Sequence, residues 1–144
     1  MSRYKIKSLT ALDRTFIAQA EFRYQIRRFL RFSEEAARRA GLHPQQYQLL
    51  LAIRGLPPGQ EARVGNLAER LQLEQHSAVE LIDRAVQSGL VMRTGDHHDR
   101  RQVIVHLTSK GESLLKKLAR EHRAEIAAAA PHLLKALQAL TRHH

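Results

Sequence analysis

Val64-Gly65-Asn66-Leu67-Ala68-Glu69-Arg70-Leu71, then Gln72-Leu73-Glu74, then Gln75-His76-Ser77-Ala78-Val79-Glu80-Leu81-Ile82-Asp83-Arg84-Ala85-Val86-Gln87-Ser88 is the stretch that decides the fold. Its first and last segments space their apolar residues as helices do, and Gly89 stops the second. The residues between them leave room only for a tight turn, the spacing of a helix-turn-helix. Directly after come Leu90-Val91-Met92-Arg93-Thr94, a polar tip from Gly95 to Arg101, and Gln102-Val103-Ile104-Val105-His106-Leu107. These read as a two-stranded ribbon with an arginine-rich tip. A helix pair that runs into a charged hairpin is a winged helix-turn-helix. It sets one helix in a groove of duplex DNA while the hairpin reaches the neighbouring backbone. Arg63-Val64 is placed to add a short third strand to the wing.

Outward from this centre the pattern is helical. A first helix is predicted over Thr10 to Ala40, with Gly41 as its stop and Leu12, Phe16, Ala20, Ile26, Phe29, Leu30 and Ala37 at helical spacing. A second runs from Pro44, suited to the first helical position, to about Arg54. Gly55-Leu56-Pro57-Pro58-Gly59 is a loop. Past the wing, Ser109-Lys110-Gly111-Glu112 reads as a capping box. The helix it opens carries Leu114, Leu115, Leu118, His122 and Ile126 and is expected to end before Pro131. A last short helix holds Leu133, Leu134, Leu137 and Leu140. The fold class is mainly α with a small β-wing, in a single domain over 1–144. Residues 43–108 form the winged helix-turn-helix. Residues 10–42 and 109–142 form helices whose leucine and phenylalanine seams need a second chain to cover them, which predicts a homodimer.

Composition narrows the function. The chain has 144 residues, no cysteine and 43% apolar residues, so disulfides and thiolate chemistry are excluded. No apolar run is long enough for a bilayer and Met1 to Lys7 lacks a signal-peptide core, which predicts a cytoplasmic protein without a membrane partner. Net charge is +10, and eighteen of the twenty-four basic residues are arginine. That balance points to a polyanionic partner. Yet residues 1–42 carry +6, residues 109–144 carry +4, and residues 43–108 carry none. Global charge therefore does not locate the DNA site. Nine histidines form no His-x-x-x-His or Glu-x-x-His cluster, so neither a metal nor another cofactor is expected. No Ser-His-Asp ordering, P-loop or dinucleotide glycine motif exists, and the chain does not read as an enzyme.

Asp99-Arg100-Arg101, then Leu107-Thr108 after five residues, then Gly111 resembles the wing of the MarR family of bacterial transcription regulators. Leu67-Ala68-Glu69-Arg70-Leu71, Val79-Glu80-Leu81-Ile82-Asp83-Arg84, Gly89-Leu90-Val91 and Gly41-Leu42-His43-Pro44-Gln45-Gln46-Tyr47 stand in the order that resemblance expects. It spans roughly residues 10–142. It implies a homodimeric DNA-binding repressor or activator, often released by a small molecule that binds where the dimer lobe joins the DNA-binding lobe.

Candidate DNA contacts follow. Gln75, His76 and Ser77 open the recognition helix, where side chains face base edges, with Glu80 and Arg84 farther along. The resemblance leads one to expect a non-acidic residue at Glu80. That glutamate either accepts from a cytosine amino group or pairs with Arg84 four residues on, and the pairing is the favoured reading. Arg100 and Arg101 suit minor-groove insertion. The resemblance implies that Asp99 and one arginine brace the wing. His97 and His98 add donors, and Arg63, Asn66 and Arg93 are candidate phosphate clamps. Phe22, Arg23, Tyr24, Arg27, Arg28, Arg31 and Phe32 interleave rings and guanidinium groups that would suit an aromatic anionic effector, the first four above all, although dimer-core rings with solvated arginines is the preferred account of them. The function expected is a homodimeric regulator of a pseudo-palindromic operator in double-stranded DNA, a repressor of nearby genes. The alternatives are a sequence-tolerant architectural DNA binder, favoured by the basic termini, and a winged-helix protein-interaction module, favoured by the neutral 43–108 segment.

Overall fold

The computed structural model describes residues 8–95 and 98–142, and for Arg100 the backbone only. The elements run α1 (Ala11–Arg39), α2 (Pro44–Arg54), α3 (Val64–Leu71), α4 (Gln75–Gln87), β1 (Val91–Thr94), a 3-10 turn (Arg100–Gln102), β2 (Ile104–Leu107) and α5 (Ser109–Thr141). This is the predicted class, helices with one small antiparallel sheet. No helix among the described residues is long and apolar enough to cross a membrane. Two units divide the chain. One comprises residues up to Phe32 and from Arg123 on, and the other runs from Ser33 to His122.

Local chemistry sets the helix ends. Thr10 caps α1: its hydroxyl accepts from the Asp13 amide at 3.0 Å, and the Asp13 carboxylate accepts from the Thr10 amide at 2.9 Å. His43 caps α2, with Nδ1 accepting from the Gln45 amide and the Gln46 side chain accepting from the His43 amide. Gln72, at φ 54°, closes α3 in the left-handed conformation and turns the chain into α4. Its side chain donates to the Glu69 carbonyl at 2.8 Å, a local bond that helps hold this uncommon geometry.

The core of the Ser33–His122 unit buries Leu49, Leu50, Leu67, Ile82, Leu90, Val105 and Leu118. The hydrophobic faces of α2, α3 and α4 meet there, and the wing is anchored by Val91 and Val105. His122 is buried in this unit too. It stacks on the Tyr47 ring at 5.2 Å, and its Nδ1 lies 2.6 Å from the Leu118 carbonyl.

Three expectations are corrected. Among the described residues the sheet has two strands, not three. Val64 begins α3, and the approach of that segment to the wing is a single backbone bond from the Val105 amide to the Ala62 carbonyl at 2.9 Å. The cap of α5 is Thr108 rather than Ser109. The Thr108 hydroxyl accepts from the Gly111 amide at 3.1 Å, and Glu112 turns to Arg54 at 3.2 Å. Helix α5 also runs through Pro131 to Thr141 instead of ending before it. A proline in a helix forfeits one backbone bond and crowds the carbonyl four residues earlier. Here that neighbour is Ala127, within an alanine run of the highest helix propensity and the smallest side chains.

Candidate nucleic-acid interface

Helix α4 turns Ala78, Leu81, Ile82 and Ala85 inward, and all are buried. At 3.6 residues per turn the opposite, outward face carries His76, Glu80, Asp83 and Gln87, each exposed. Gln75 is exposed at the first position of the helix, and Ser77 is half-buried. Arg84 is exposed along the flank. The start of α3, the outward face of α4 and the wing tip border one open cleft of about 860 Å³. Arg63, Asn66, Gln75, His76, Glu80 and Arg101 line it together with Val64, Gly65 and Val79. Six of the predicted DNA-contact residues therefore meet in one place.

The cationic residues divide into two kinds. Arg63 is held by Glu61, with contacts of 2.6 and 3.0 Å to one carboxylate oxygen, and its Nη1 donates to the Arg101 carbonyl. Asn66 donates to the Glu61 carbonyl at 2.9 Å. Arg93 on β1 pairs through Nη2 with the Asp83 carboxylate on α4. Of these three, predicted as phosphate clamps, Arg63 and Arg93 tie the wing to the start of α3 and to α4, and Asn66 ties α3 to the loop before it. Arg101 differs: its side chain is 91% exposed, and among the described residues its one side-chain contact is to Asp99 at 3.4 Å. Asp99 accepts from the Arg101 amide at 3.0 Å, so it fixes the backbone of the tip. Tight approach fixes it further, since a Cβ on Gly95 would stand 2.2 Å from the Gln102 carbonyl oxygen. His98 is exposed at the tip. His97 and the Arg100 side chain lie outside the described residues.

The favoured Glu80–Arg84 pair is not formed among the described residues. Asp83 takes an arginine instead, and that arginine comes from the wing strand. Sequence reading missed two groups, Glu61 and Asp83. Asp83 has its opposite charge within reach only after the wing strand packs beside α4, whereas Glu61 finds Arg63 two residues on. The alternation Glu61-Ala62-Arg63 was the one visible signal.

Around the end of α4 a second set of bonds fixes the helix against its surroundings. Lys110 donates to the Ser88 carbonyl at 3.0 Å, and the Thr108 hydroxyl donates to the Gly89 carbonyl at 2.5 Å. The cation at a helix C-terminus also meets the negative end of the helix dipole.

Of the suggested effector residues, Arg23, Tyr24 and Arg27 are exposed together on one side of α1, and Phe22 is half-buried on another. Arg28 stacks over the Tyr24 ring at 5.6 Å. In the unit that contains residues 8–32 and 123–142, a cavity of about 280 Å³ lies between Gln25, Arg28, Phe29 and Phe32 on α1 and Glu125, Ala128, Ala129 and His132 on α5, so Arg28 and Phe32 of the suggested stretch line it.

Comparison with known proteins gives a consistent result. Residues 40–102 match the model of the MarR family. Over 111 residues the chain is 30% identical to YkoM of Bacillus subtilis (strain 168), an uncharacterized HTH-type transcriptional regulator, covering 75% of this chain and 70% of YkoM. Its fold is similar to that of AbsC, a MarR family transcriptional regulator from Streptomyces coelicolor, with a TM-score of 0.69 and 23% identity over 85% of this chain and 81% of AbsC. It is also similar to a mutant MarR from E. coli solved in complex with operator DNA, with a TM-score of 0.64 and 18% identity over 90% of this chain and 99% of the other.

Proposed function

The chain belongs to the MarR family of transcriptional regulators, and on that premise we propose that it is a homodimeric DNA-binding regulator that represses nearby genes until a small molecule releases it. The observation that carries this reading is the cleft in which Gln75, His76 and Glu80 of α4 stand beside Arg101 of the wing. One element offers groups for major-groove base edges, and the other offers an exposed guanidinium for the adjoining minor groove.

The dimer is supported by apolar residues left open in the unit that holds both chain ends. Leu12, Phe16 and Ile17 of α1 and Leu134 and Leu137 of α5 are each about half exposed in the single chain. Seams of this kind need a second copy to remove them from water. The effector reading draws on the cavity beside Phe29 and Phe32. Two rings with Arg28 and His132 in the lining, against the single carboxylate of Glu125, suit an aromatic anion.

Selection of bound fragments from random duplex DNA, followed by sequencing, tests the proposal. The expected product is a pseudo-palindrome whose half-site centres lie about one helical turn, roughly 34–36 Å, apart. Enrichment without any motif would overturn it in favour of an architectural binder. No enrichment at low salt would overturn it in favour of a protein-interaction module.

A further inference from the structure

The geometry points to Glu80 as the residue that fixes a C·G pair in each operator half-site, by accepting a hydrogen bond from the cytosine N4 amino group. The inference rests on the DNA-binding reading above and names the base that reading leaves open. The outward face of α4 carries two carboxylates, Glu80 and Asp83. Asp83 is neutralised by Arg93 from the wing strand. Glu80 is exposed, and among the described residues it forms no ion pair, with Arg84 or with any other cation. The two arginines of its cleft are engaged elsewhere: Arg63 holds Glu61 and the Arg101 carbonyl, and Arg101 leans on Asp99.

An uncompensated carboxylate on the helix face that enters a groove is repelled by phosphate. It gains only where a donor meets it. The major groove offers two base donors, the amino groups of cytosine and adenine. Adenine sets the N7 acceptor beside its amino group, guanine presents acceptors alone, and thymine presents an acceptor and a methyl. Cytosine is the base whose own edge gives a donor with no acceptor. At guanine or thymine the carboxylate is stripped of water without a partner, and at adenine the N7 acceptor beside the donor repels its second oxygen, so cytosine is the least costly base. Glu80 therefore selects by exclusion as well as by attraction, and it lowers affinity for unrelated duplex.

The test is selection from random duplex DNA with the wild type, Glu80→Ala and Glu80→Gln, with circular dichroism as a folding control. The wild-type motif should hold a C·G pair at one symmetric position of each half-site. Glu80→Ala should lose about tenfold or more discrimination at that position alone and bind unrelated duplex more tightly at low salt. Glu80→Gln should move the preference there toward A·T, because an amide pairs with both adenine groups. A wild-type motif that Glu80→Ala reproduces unchanged would overturn the inference while leaving the DNA-binding reading intact. A wild type that selects no motif would overturn that reading first, and the inference with it.

Discussion

Gly111 shows how a single residue can fix the approach of two elements. A Cβ there would stand 2.1 Å from the Leu90 carbonyl oxygen, so the start of α5 passes against the entry to the wing with no room for a side chain. Gly111→Ala should destabilise the fold by about 1–3 kcal/mol, read as a lower urea midpoint. The Leu107-Thr108-x-x-Gly111 pattern was legible in the sequence, but its reason was not: Thr108 caps the helix and bonds to Gly89 at once. Asp13 gives a pH test at this scale. Hydrogen bonds from the Thr10 amide and hydroxyl hold its carboxyl below the ordinary value of 3.8. A lowered folded pKa means that the carboxylate's contribution is complete above the unfolded value and is lost as pH falls through the folded one. An NMR titration of Asp13 should therefore show a midpoint below 3.8, and Thr10→Ala should return it toward that value. An unchanged midpoint in Thr10→Ala would refute the cap.

At the scale of elements, α4 and the wing act as one body because Asp83 and Arg93 join them. This separates two arginines that look alike in the sequence. Arg93 is already neutralised, so Arg93→Ala should weaken operator binding by loosening the wing while leaving the salt slope nearly unchanged. Arg101 is almost fully exposed and only loosely held, by a 3.4 Å contact to Asp99. Arg101→Ala should cost on the order of 1–3 kcal/mol for the lost groove contact and flatten the salt slope by about 1, since fewer counterions are released. Operator affinity at several salt concentrations distinguishes them, and equal slope changes would contradict the division. The bounds of α2, α3 and α4 were readable because Pro44, Gly89 and the apolar spacing act locally. The ion pairs were not, because Asp83 meets Arg93 only across a tertiary gap. The continuation of α5 past Pro131 was hidden for a related reason: a breaker states a cost, and the sequence does not state what offsets it.

For the molecule as a whole, the half-exposed apolar residues of the unit that holds both chain ends put the proposed homodimer to the test. Light scattering should give about twice the 16.5 kDa chain mass. Replacing Leu12 and Phe16 together with glutamate should give a monomer that no longer retains the operator, since two reading heads are then no longer tied to one spacing. A folded wild-type monomer at micromolar concentration would refute the dimer. The seams were visible in the sequence as leucine and phenylalanine spacing. The cavity of the same unit was legible only in part: Arg28 and Phe32 stood in the aromatic-and-arginine stretch of α1, whereas its α5 side, Glu125, Ala128, Ala129 and His132, carried no signal in the sequence. The central claim is that two copies of α4 and its wing read duplex DNA as a two-fold pair. It is tested most directly by a hydroxyl-radical footprint on the selected operator, with the wild type and with Arg100 and Arg101 both replaced by alanine. The wild type should protect two blocks about one helical turn apart with flanking minor-groove protection, and the double variant should lose the flanks and keep the blocks. A single protected block shorter than one turn, or unbroken coating of the fragment, would contradict it.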